Sequence, residues 1–272
     1  MRVARKWIAG TTVREAIAES KRINADGAMV MVNYLGEHIT DRTEVARALG
    51  VYKDLIISMH KRRIKGSIAV KPTQLGLCIR KALFYSSYSK IAGLAASNGI
   101  FVWLDMEEYE YVDQTIDAYL HLLKSRKNIG ICIQAKLRRS LKDAERVARA
   151  GGSIRLVKGA YTYRHGESYH DMKGINKNYT DIIDLMAKKR VRFIAATHDK
   201  KMVDYALAHG NRAGMSFAML KGVRWKLASS LIKEGNTVSI YVPFGKDWMK
   251  YSIRRLRELR TAMLIARSMM QG

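Results

Sequence analysis

Residues 129–158 read IGICIQAKLRRSLKDAERVARAGGSIRLVK. An apolar run, Ile129–Gln134, gives way to an amphipathic helical pattern over Ser140–Ala150, then to a Gly151-Gly152 break and a second apolar run, Ser153–Lys158. Two short β-branched runs joined by a helix-length stretch form a βαβ unit with parallel strands. The same unit recurs outward in both directions. Further strand-like runs lie at Ala28–Asn33, Gly66–Lys71, Ile100–Asp105, Arg192–Thr197, Ala213–Met219 and Thr237–Val242. Helical patterns fall between them at Tyr111–Ser125, Asp181–Arg190, Lys200–His209 and Val223–Glu234.

Such an alternation suits either a closed barrel or a doubly wound open sheet, and the polar residues separate the two. Most runs end in a chemically able side chain: Lys71, Asp105, Gln134, Lys158, Thr197 with His198, and Tyr241. An open sheet concentrates such groups at one switch point, whereas a barrel gathers them from many strand ends onto one face. The expected fold is therefore an α/β class single (βα)8 TIM-type barrel. Residues 1–27 are expected as an N-terminal helical extension, with the helix over 11–27, and residues 28–272 as the barrel. From Asp247 onward a long basic helix pattern is expected to close over the barrel mouth.

A chain of 272 residues is the usual size for one such barrel. Its composition, 48% hydrophobic and 27% charged, is that of a folded globular protein. Cys78 and Cys132 carry no zinc-type spacing and read as reduced thiols in a cytoplasmic setting. No secretory signal and no apolar run of about 18 residues is apparent, so the expected protein is soluble or peripheral.

The formal net charge of +25 favours polyanions. Yet the Lys and Arg residues are dispersed and no nucleic-acid signature accompanies them, so no nucleic-acid partner is expected. One local concentration, Lys61, Arg62, Arg63 and Lys65, is either a solvated helix end or a contact for anionic lipid at a membrane surface.

Neither a G-x-G-x-x-G fingerprint nor a phosphate loop is present. Gly214–Ala218 approaches a nucleophile elbow but lacks the final glycine and falls where a strand is expected. His165 and His170 near Asp171 have no third ligand, so no metal is expected. The informative segment is Arg155-Leu156-Val157-Lys158-Gly159-Ala160-Tyr161, where two cations bracket a strand end before a close turn and an aromatic ring.

That segment resembles the most characteristic motif of the proline dehydrogenase family, and it is accompanied in order by other blocks. They are Tyr34–Glu37, Val70–Leu77, Leu104–Glu107, Gln134-Ala135, Ala196–Asp199, Phe217–Gly222, Tyr241–Gly245 and Trp248–Leu256. The likeness runs from about Tyr34 to Glu258. Departures are Lys136, where a tyrosine usually follows Gln134-Ala135, and Ser216 and Ala218, where acidic and glutamine residues are commoner.

The resemblance implies FAD-dependent oxidation of L-proline to 1-pyrroline-5-carboxylate, by hydride transfer from C5 to flavin N5. It implies that Gln134, Arg155, Lys158, Thr197 and His198 contact the flavin, with Glu258 placed among the cofactor residues. Lys71, Arg254 and Arg255 would hold the substrate carboxylate and Asp105 would orient them. Tyr161, Tyr241 and Tyr251 would wall the pyrrolidine ring, and Glu37 would pair with Arg254. A quinone electron acceptor and a separate pyrroline-carboxylate dehydrogenase are the implied partners. Two alternatives stand beside this reading. A related flavin barrel acting on hydroxyproline is disfavoured by Tyr241, where such relatives carry a smaller residue; a non-enzymatic polyanion-binding barrel would lack flavin absorbance.

Overall fold

The computed structural model describes residues 6–253 apart from residues 165, 212 and 250. Eight parallel strands pair in sequence order, and β1 returns to β8 to close the barrel. They are β1 (Met29–Tyr34), β2 (Gly66–Val70), β3 (Phe101–Leu104), β4 (Ile129–Gln134), β5 (Ser153–Val157), β6 (Phe193–Ala196), β7 (Met215–Leu220) and β8 (Val238–Phe244). Each expected run contains its strand or overlaps it within two residues. Gly214–Ala218 accordingly runs into β7 and makes no elbow.

Among the described residues eight α-helices form the outer layer: α1 (Val13–Ala25), α2 (Arg42–Lys61), α3 (Lys81–Ser97), α4 (Val112–Leu123), α5 (Ser140–Arg149), α6 (Met172–Lys188), α7 (Lys200–His209) and α8 (Trp225–Lys233). Side chains that satisfy free N–H groups fix several starts. Thr12 and Glu15 make a reciprocal capping box on α1. Asp41 caps α2, Asp171 caps α6 and Asp199 caps α7. The cap at Asp171 starts α6 nine residues before the expected Asp181.

Helix α1 packs against β1, β8 and α2. It thus takes the ring position beside the closing β8–β1 pair. That position is the one a helix following β8 would otherwise fill. The chain after β8 instead turns helical at Trp248, and Tyr251 packs with Trp7, Ile8 and Leu35 at the end of β1.

The main core lies between barrel and helices, while Met31, Ala69, Trp103, Ile194 and Ala218 fill the barrel interior. Trp103 requires Gly130 beside it, since a Cβ there would sit 2.4 Å from the indole. This filled interior leaves the C-terminal ends of the strands as the place for chemistry.

Candidate active site

Lys71 follows β2 directly, and its ammonium reaches the centre of the mouth. Its Nζ lies 3.1 Å from the Tyr161 hydroxyl, 3.4 Å from Glu37 Oε2 and 3.8 Å from Glu107 Oε1. Tyr161 in turn donates to Glu37 Oε2 at 3.4 Å. Burial disfavours the Lys71 charge, but Tyr161, Glu107, Asp105 and Glu37 together raise its pKa well above the ordinary lysine value. Lys71 is therefore a cation at any working pH.

One strand further round the mouth, Arg155 and Asp105 form an ion pair whose side chains are each 7% exposed. Asp105 Oδ2 also accepts from the Tyr241 hydroxyl at 2.9 Å, and the Arg155 guanidinium lies 5.4 Å from the Tyr241 ring centroid. Burial opposes the Arg155 charge and Asp105 restores it, so its pKa is raised. Burial and the neighbouring carboxylate push the Tyr241 hydroxyl up, and burial does the same for Tyr161. Both phenols stay neutral. Arg155 Nε is buried and has no hydrogen-bond partner among the described residues.

The remaining residues line the β4 to β7 side. Gln134 Nε2 donates to the Glu107 carbonyl at 2.8 Å, and its Oε1 accepts from Tyr163 at 2.6 Å. Lys158 Nζ pairs with Asp199 Oδ2 at 2.6 Å, and the Asp199 N–H donates to Thr197 Oγ1 at 3.1 Å. His198 Nε2 accepts the Leu220 N–H at 2.9 Å, which assigns the ring proton of the neutral imidazole to Nδ1. Gly159, at φ +110°, keeps open the space beside Gln134 Oε1 and the Lys136 Cβ, which a Cβ would approach to 3.2 and 3.1 Å.

The fold thus brings two groups together at the mouth, Lys71 with Glu37 and Tyr161, and Arg155 with Asp105 and Tyr241, with Gln134 joined to the first through Glu107. Lys158, Thr197 and His198 stand on the adjoining rim, and Tyr251 approaches over Leu35. Arg254, Arg255 and Glu258 lie outside the described residues. Among the described residues no three His, Cys, Asp or Glu side chains gather as metal ligands.

Glu107 was not singled out from the sequence, yet it is a centre of the site. It is fully buried, accepts from the Thr73 N–H and hydroxyl at 2.8 Å each, and faces Lys71. Burial raises its pKa, against the opposing pull of Lys71 and Thr73. Lys136, the departure from the family pattern, donates to the Tyr161 carbonyl at 2.9 Å and lies 5.5 Å from the Tyr163 ring centroid. It helps hold the β5–α6 loop to the end of β4.

A family model described as proline dehydrogenase matches residues 16–263. Proline dehydrogenase 2 of Bacillus subtilis (strain 168) is 30% identical over 260 residues, spanning 94% of this chain and 86% of the relative. Proline dehydrogenase of Deinococcus radiodurans is 29% identical over 281 aligned positions, spanning 99% of this chain and 91% of the relative. Among solved structures, proline utilization A from Bdellovibrio bacteriovorus, inactivated by N-propargylglycine, superposes with a TM-score of 0.88 at 22% identity. The alignment covers 93% of this chain but 32% of that one, so this chain spans about a third of the larger protein.

Proposed function

The chain belongs to the proline dehydrogenase family, and from that membership we propose that it oxidises L-proline to 1-pyrroline-5-carboxylate with FAD as acceptor, in the first step of proline catabolism. The observation that carries this reading is the pair of buried cations, Lys71 and Arg155, held at one barrel mouth by the carboxylates of Glu37, Glu107 and Asp105 beside the Tyr161 and Tyr241 hydroxyls. Such a site suits a small carboxylate-bearing substrate beside an acceptor that gains negative charge on reduction.

The residues present fit a flavin. Arg155 Nε is a buried donor in need of an acceptor, and Gly159 leaves a face free beside Gln134 and Lys136. In this reading Gln134, Arg155, Lys158, Thr197 and His198 would hold FAD, Glu258 being the further cofactor residue that the family resemblance implies; the bound flavin would supply the acceptor for the hydride of proline C5. Lys71, with Arg254 and Arg255, binds the carboxylate. Asp105 fixes Arg155 and Tyr241, while Tyr161, Tyr241 and Tyr251 wall the ring and exclude water. Glu37 serves Lys71 and would pair with Arg254.

Lys71 is held protonated and the phenols neutral, so none of them takes a proton from the substrate near neutral pH. In this reading the amine reacts as the neutral species, and the chain's contribution is to orient C5. The quinone acceptor, the separate pyrroline-carboxylate dehydrogenase and a cytoplasmic location with peripheral membrane contact extend the proposal. No helix among the described residues is long and apolar enough to cross a membrane.

The test is optical. Purified protein is expected to be yellow, to release its flavin on acid precipitation, and to bleach anaerobically when L-proline is added. Colourless protein that takes up no FAD, or bound flavin that L-proline leaves oxidised, would overturn the assignment.

A further inference from the structure

Glu37 stands in a segment that nothing regular supports. Residues 35–40 form the β1–α2 loop, and His38 within it has φ +58°, an uncommon conformation for a residue with a side chain. A backbone of that kind persists when its surroundings over-determine it. Among those surroundings is Thr73, which is fully buried just beyond β2.

Thr73 makes two bonds in each of two directions. Toward the β3–α4 loop, its N–H donates to Glu107 Oε2 and its hydroxyl to Glu107 Oε1, both at 2.8 Å. Toward the β1–α2 loop, its Oγ1 accepts the His38 N–H at 2.9 Å and its carbonyl accepts the Ile39 N–H at 3.2 Å. The hydroxyl proton is committed to Glu107, so the oxygen is left to accept from His38. A second tie joins the same loops at the surface, where His38 Nε2 meets Glu108 Oε1 at 3.1 Å.

We propose that Thr73 is a positioning residue: its hydroxyl transmits the fixed place of buried Glu107 to the backbone at His38, and thereby holds Glu37 against Lys71 and Tyr161. Two of the acids around Lys71 are then set by one residue. Glu107 is held directly and Glu37 through the strained turn beside it. The inference rests on the proline-oxidising reading only for its kinetic consequence; the ordering of the loop stands apart from it.

Two variants read the two parts separately. Thr73→Val keeps the volume and removes the hydroxyl, whereas Thr73→Ser keeps the hydroxyl. In Thr73→Val the proline KM is expected to rise about tenfold with kcat changed less than about twofold, the signature of lost ground-state positioning. Flavin content per chain is expected to stay at the wild-type level. Amide hydrogen exchange at His38 and Ile39 is expected to accelerate at least about tenfold, reporting local opening. Thr73→Ser is expected to match wild type in both. Wild-type KM in Thr73→Val, or an equal rise in Thr73→Ser, overturns the proposal. Unchanged exchange at His38 in Thr73→Val does so too, whatever the substrate proves to be. If wild-type protein fails to oxidise proline, the functional reading falls while the exchange comparison still decides the stitch. Should Thr73→Val not fold, Glu108→Ala severs only the surface tie, with an expected KM rise of about threefold and faster exchange at His38; no change in either refutes the loop's role.

Discussion

Replacing Asp105 by alanine strands a charge inside the barrel. The Arg155 guanidinium, 7% exposed in its side chain, loses its counter-ion, and the Tyr241 hydroxyl loses its acceptor at 2.9 Å. Breaking a buried ion pair by removing one partner costs about 3–5 kcal/mol, because the remaining charge stays desolvated. The lost phenol bond adds about 1 kcal/mol. With an unfolding entropy near 2.1 cal/mol/K per residue, the resulting loss of about 5 kcal/mol corresponds to roughly 9 °C in Tm for a chain of this length. Removing the stranded cation as well, in Asp105→Ala/Arg155→Met, is expected to recover about 2 kcal/mol of that loss. Urea unfolding of all four species at a fixed, saturating FAD concentration gives the coupling, since bound ligand would otherwise shift the midpoints unequally. A single-variant loss below about 1 kcal/mol, or a double variant equal to the sum of the singles, would refute a mutually compensating pair.

Lys71 makes a pH prediction whose sign is fixed by its raised pKa. Its contribution to stability is full below the unfolded lysine value of about 10.4 and is lost as pH rises through the higher folded value. Urea midpoints above about pH 10.4 should therefore fall more steeply in wild type than in Lys71→Met, and parallel slopes would contradict the burial argument. Tyr251, Arg254, Arg255 and Glu258 share one stripe of the closing helical pattern. Arg254→Ala or Arg255→Lys is expected to raise the proline KM about ten- to a hundredfold with flavin retained; an unchanged KM in either withdraws that assignment. Lys61, Arg62, Arg63 and Lys65 precede β2 and so lie on the rim opposite the mouth. Arg62 there joins Arg14 and Lys21 around a groove of about 540 Å³ between α1 and α2, floored by Val13, Ile17 and Ile57. Anionic vesicles should bind at low salt, each basic side chain contributing about 1 kcal/mol, and should release when those four charges are removed. Vesicle binding that is absent, or indifferent to the four substitutions, leaves the charge as a matter of solubility.

That last geometry separates what the sequence carries from what only the fold decides. A strand buried on both faces must be apolar throughout, so β1 to β8 announce themselves as runs, and the polar residue ending each run marks the mouth. Lys71, Asp105, Gln134 and Lys158 were legible for that reason, whereas Tyr241 lies inside β8. Periodicity stops at the strand ends, and with it the means to choose among loop residues. Glu107 is one of four acids in residues 105–110, and nothing local distinguishes it from Glu108 or Glu110. It is set apart by Thr73, 34 positions away, and by Lys71, contacts that exist only once β2 and β3 lie side by side. The start of α6 was lost for a related reason, because Asp171 beside His170 invites comparison with metal ligands when its carboxylate is occupied as a helix cap. Helix α1 shows the limit most clearly. Its capping box and apolar stripe declare a helix but not its neighbours. By lying against β1 and β8 it takes the ring place beside the closing strands, and the chain leaving β8 has to go elsewhere. Tyr251 comes to rest against Leu35, two residues before Glu37. The approach of the closing segment to the site is thus set by a helix at the opposite end of the chain.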